Sequence, residues 1–190
     1  HILYIQDTGG DENWRVYQTD IETRETRNLT PFDNVQARIL AIDPRFPDIA
    51  LLALNTRDPR LHDVYRVDLN TGELILVEKN EENFVQYRPD NQLRIRAAQK
   101  MLPDGGTEIY VRDAADSAPW RLLTAWGPDD SGGIVAFSPD DSALYITTSE
   151  EANAARLLEI DIESGIPTIL AQDEQYDVSG LMINPINREI

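Results

Sequence analysis

Apolar and polar residues alternate along this chain in short runs, and the runs recur. Four segments share one pattern, an apolar strand that closes on aspartate and enters a turn. They are Val16-Tyr17-Gln18-Thr19-Asp20, Val64-Tyr65-Arg66-Val67-Asp68, Ile109-Tyr110-Val111-Arg112-Asp113 and Leu157-Leu158-Glu159-Ile160-Asp161. The closing aspartates lie 48, 45 and 48 residues apart. Alternation with a period of two sends successive side chains to opposite faces of a strand. After three of the aspartates comes a hairpin turn: Glu22-Thr23-Arg24, Asn70-Thr71-Gly72 and Glu163-Ser164-Gly165. Gly72 and Gly165 supply the positive φ that such turns want. The third copy, 114–117, lacks the glycine.

Three further elements keep the same phase. An apolar strand precedes each closing strand, at 3–5, 50–54, 93–97 and 143–147. Upstream of it, another runs into a Pro-Asp or Asp-Pro turn, at 39–44, 84–90, 134–140 and 181–185. The last follows the hairpin, at 26–30, 73–77, 120–124 and 167–171. Each unit thus holds four short strands in ~47 residues, the signature of a β-propeller blade. A helical repeat would need a sustained i, i+3, i+4, i+7 apolar pattern, and none is present. A two-sheet sandwich would not demand an equal period. The pattern predicts an all-β chain, a β-propeller of about four blade-equivalents, each of four antiparallel strands, and a fragment of a larger propeller. The expected division is a partial blade at 1–32, blades at 33–80, 81–126 and 127–172, and the start of a next blade at 173–190.

Composition narrows the partners. The 190 residues are 41% hydrophobic and 27% charged, which suits a globular chain that buries a core. No apolar run approaches the ~18 residues of a membrane helix. The opening His1-Ile2-Leu3-Tyr4 reads as a strand entered midway rather than as a signal peptide. A formal charge of −17 disfavours nucleic acid and anionic membranes as partners. The aspartates suit tight turns, where a carboxylate takes up nearby backbone N–H groups. With no cysteine, disulfides, thiol catalysis and cysteine-ligated zinc are excluded, and a cytoplasmic location is the expectation.

Little catalytic chemistry remains, and no catalytic residue, metal site or cofactor is expected. The serines are 117, 131, 138, 142, 149, 164 and 179, and none is flanked by glycine at both −2 and +2 as a nucleophile elbow requires. The histidines are His1 and His62, and His62 falls in 57–63, a stretch that reads as a polar connection between strands. Asp11-Glu12-Asn13, Asp129-Asp130 and Asp140-Asp141 are acidic but form no Asp-x-Asp-x-Asp-Gly calcium loop. The candidates for substrate binding are Glu81, Glu82, Glu150 and Glu151, paired carboxylates that would hold an amine if they faced a central tunnel. Tyr17, Tyr65, Tyr110, Phe137 and Tyr145 recur at matching positions and are expected to be buried in the packing between blades. Trp14, Trp120 and Trp126 are less regular and suggest a rim.

Two stretches carry a family resemblance. Residues 3–17 hold the loop Asp7-Thr8-Gly9-Gly10-Asp11-Glu12-Asn13-Trp14 between two strands, and Asn28-Leu29-Thr30-Pro31-Phe32 follows. This resembles the propeller of prolyl oligopeptidase family serine peptidases, the acylaminoacyl-peptidase and dipeptidyl-aminopeptidase-like members above all. Phe137-Ser138-Pro139-Asp140 with Leu144-Tyr145 resembles the Ser-Pro-Asp-Gly hairpin of these blades, with Asp141 where glycine is usual. That hairpin is shared with TolB-type propellers. The resemblance implies a non-catalytic domain that caps a C-terminal α/β-hydrolase domain of the parent chain and admits only small peptides to it. It carries over no catalytic residue, since no triad motif is present. A TolB-like interaction scaffold, which would be periplasmic, and a metal-dependent propeller lactonase are the alternatives. A homodimer through terminal strands, 178–184 of one copy against 2–6 of another, is a further expectation.

Overall fold

A computed structural model describes residues 1–115 and 118–190. The chain divides into two compact units, His1–Asn83 and Phe84–Ile190. The first unit opens with β1 (Ile2–Gln6), β2 (Arg15–Thr19) and β3 (Thr26–Asn28), a three-stranded sheet in the order β1-β2-β3. A four-stranded sheet follows, of β4 (Ala37–Ile42), β5 (Ile49–Asp58), β6 (Leu61–Asp68) and β7 (Leu74–Glu78). The second unit holds two more. One runs β8 (Gln86–Pro89), β9 (Ile95–Met101), β10 (Thr107–Val111) and β11 (Arg121–Trp126). The other runs β12 (Gly132–Phe137), β13 (Ala143–Thr148), β14 (Arg156–Asp161) and β15 (Pro167–Ala171). Every pairing is antiparallel and joins strands adjacent in sequence, so each sheet is a meander.

The recurring aspartates make the turns. Asp20 Oδ1 accepts the N–H groups of Glu22 and Thr23 at 2.9 and 2.8 Å. Asp68 Oδ1 does the same for Asn70 and Thr71 at 2.9 and 2.7 Å. Asp161 Oδ1 takes Ser164 N–H at 2.7 Å. Four residues after each aspartate the backbone turns left-handed, at Arg24 (φ 62°), Gly72 (79°) and Gly165 (72°). The 114–117 copy runs into residues 116 and 117, which lie outside the described residues.

Alternate strand residues build the cores. In the first unit Val16, Leu29, Ala50, Leu52, Leu54 and Val67 pack between the two sheets. In the second, Ile109, Val111, Ile134, Phe137, Leu144, Ile146 and Ile160 do so. Burying a side chain of this size is worth about 1.5–3 kcal/mol.

Several expectations need correction. Residues 181–185 form no strand. A strand needs a partner ladder, and none among the described residues faces this segment. It is held instead by Val178 N–H on Ala155 O at 2.8 Å, with Val178, Leu181 and Ile183 packed on Ala136, Tyr145 and Leu157. Residues 57–63 are no loose connection: β5 and β6 run through them to a hairpin at Pro59-Arg60, where Asp58 grips Arg60. Tyr17, Tyr65 and Tyr110 are half-buried; the Tyr65 hydroxyl meets Thr56 Oγ1 at 2.9 Å and the Tyr110 hydroxyl donates to Glu108 at 2.8 Å. Phe137 and Tyr145 are buried as expected. Trp126 is also buried, in the core rather than at a rim, since it sits opposite Thr107 on the inward face of β11.

Candidate functional site

The candidate glutamates lie in loops. Glu81 and Glu82 follow β7 in the first unit and are exposed. Lys79 Nζ donates to Glu81 at 2.6 Å and holds its carboxyl below the ordinary range. Glu150 and Glu151 follow β13 in the second unit. Glu150 is half-buried, and its backbone is fixed on both sides. Its N–H donates to Thr148 Oγ1 at 3.1 Å, and its carbonyl accepts Arg156 Nη2 at 2.5 Å. Partial burial pushes the Glu150 carboxyl upward, and the negative charges of Glu151 and Asp130 push it the same way. The positive charge of Arg156 acts in the opposite sense.

Four serine hydroxyls are spent on turns. Ser138 Oγ donates to Asp140 at 2.8 Å and accepts Ala143 N–H at 2.9 Å. Ser142 also donates to Asp140, Ser164 to Asp161, and Ser149 to Asp130. Asp140, receiving two hydroxyls and a backbone N–H, has its carboxyl lowered to about 2. His62 stands on β6 with Nε2 buried and without a hydrogen-bond partner among the described residues. Burial, and then the charge of Arg38, depress its pKa to about 4. Among the described residues no three His, Cys, Asp or Glu side chains group as a metal site. Asp11 of the family-like loop is occupied with Thr8 N–H, Asn13 N–H and Arg15.

Two arrangements were not foreseen. Arg27 on β3 reaches across to the second sheet and donates to Leu69 O (2.5 Å) and Asn70 O (3.0 Å), while also holding Gln18 Oε1 (2.6 Å). Arg121 on β11 repeats the reach, donating to Ile162 O. Leu69 and Ile162 each follow a closing aspartate, and Arg27 and Arg121 each face the residue two before one. The equivalent phase in the repeat was the available signal. The second arrangement explains Asp141. It occupies the left-handed turn position, φ 61°, that a glycine would fill without strain. Its carboxylate accepts Asn91 N–H (2.9 Å) and Asn91 Nδ2 (2.7 Å), tying the β8–β9 turn to the β12–β13 turn.

These sheets now meet the known proteins. No family model matches the chain. Over its whole length it is 33% identical to dipeptidyl aminopeptidase BIII of Pseudoxanthomonas mexicana, of which the alignment takes in 27%. The chain is thus similar to a segment of a dipeptidyl aminopeptidase, and its sheets have the fold of the propellers of prolyl oligopeptidase family peptidases. Solved structures agree on the fold. A puromycin hydrolase superposes with a TM-score of 0.61 at 18% identity, over 90% of this chain and 29% of that one. TolB from Acinetobacter baumannii gives 0.61 at 14%, over 92% and 42%. The chain spans about a quarter of the length of the curated relatives it matches, 27% in each case.

Proposed function

We propose that this chain is the non-catalytic, access-controlling propeller of a peptidase. In this reading a C-terminal α/β-hydrolase domain performs the chemistry, and the propeller restricts it to small peptides. The observation that carries the reading is the full-length likeness to a dipeptidyl aminopeptidase over only 27% of that enzyme. Four serine hydroxyls committed to turns, and an imidazole shielded at Nε2, support the reading that the nucleophile lies elsewhere. Glu150 and Glu151 are the proposed contacts for a peptide amine, with Glu81 and Glu82 a weaker pair because Lys79 already neutralises one of them. The proposed compartment is the cytoplasm.

The test is labelling of the purified chain with a serine-directed fluorophosphonate. No incorporation is expected under conditions that label a serine peptidase fully. Stoichiometric labelling at one serine would overturn the reading.

A further inference from the structure

We draw no further inference here: the strongest candidate, the groove of about 560 Å³ in the second unit that Asp113, Asp141, Asp161 and Glu163 line beside Arg96 and Arg121, is a cluster of acidic side chains with no second feature that points to a ligand.

Discussion

Replacing Arg27 by methionine removes a cation that joins the first two sheets while keeping the length of its stem. The three acceptors it serves are Leu69 O at 2.5 Å, Asn70 O at 3.0 Å and Gln18 Oε1 at 2.6 Å. Gln18 is 5% exposed and Leu69 7%, so water cannot freely replace the lost donors at those two sites. Asn70 is exposed, and its carbonyl rehydrates. Hydrogen bonds to a charged group contribute about 1.5–3 kcal/mol, and a buried acceptor left unpaired costs about 1–3. With part of the guanidinium already hydrated in the native state, Arg27→Met should lose about 1.5–3 kcal/mol in total. Gly72 belongs to the same device: a Cβ there would stand 3.3 Å from Arg27 Nη1. Urea unfolding is the assay. Trp14 reports the first unit, and Trp120 and Trp126 the second. The loss should appear in the Trp14 transition. Thr168→Ala, at the same register position on β15 and exposed, should stay within ~0.5 kcal/mol of wild type. An Arg27→Met chain as stable as wild type would refute the argument that arginine ties the sheets.

Two further outcomes follow from turn geometry and titration. Arg24→Gly should stabilise the first hairpin by up to ~1 kcal/mol in chemical denaturation, since a side chain at φ 62° carries a strain that Gly72 and Gly165 avoid at the matching positions; a clear loss of stability would contradict this. His62 titrates about 4 in the fold, below the 6.5 of a free imidazole, so the unfolded chain binds more protons between those values. Stability from this source is complete above pH ~6.5 and falls away as the pH drops toward 4. Unfolding midpoints across that window should decline less in His62→Gln than in wild type, and parallel curves would show that the imidazole is not shielded.

The blade pattern was legible because the turn aspartates and the two-residue alternation are local. Asp20, Asp68 and Asp161 each bond an N–H group within three residues, so their role is written beside them. The strands that end in Asp20, Asp68 and Asp161 were readable for the same reason. Residues 181–185 show the limit: their apolar pattern is that of a strand, but pairing depends on a partner that pattern does not contain. Tyr65 and Tyr110 sit at the expected phase, yet the phenol oxygen pulls each ring partway out to a polar neighbour. The glutamate pairs were visible as sequence, whereas the distinction between them was not. Lys79 neutralises Glu81 locally, while Glu150 is crowded by Asp130, which is 20 residues distant in the chain. Least legible were the arginines of the seams, whose acceptors are backbone carbonyls that no side-chain pattern announces.

Access control is the central claim, and it is tested most directly by substrate length. In the peptidase proposed to contain this chain, kcat/KM is measured for a short peptide and for a long unstructured one with the same N-terminal residues. The wild type should strongly favour the short peptide. Loosening the seams with Arg27→Met and Arg121→Met together should raise the long peptide relative to the short one by about tenfold, ~1.4 kcal/mol of selectivity. A short-to-long ratio unchanged by the pair, in a protein whose measured stability has fallen, would contradict the account.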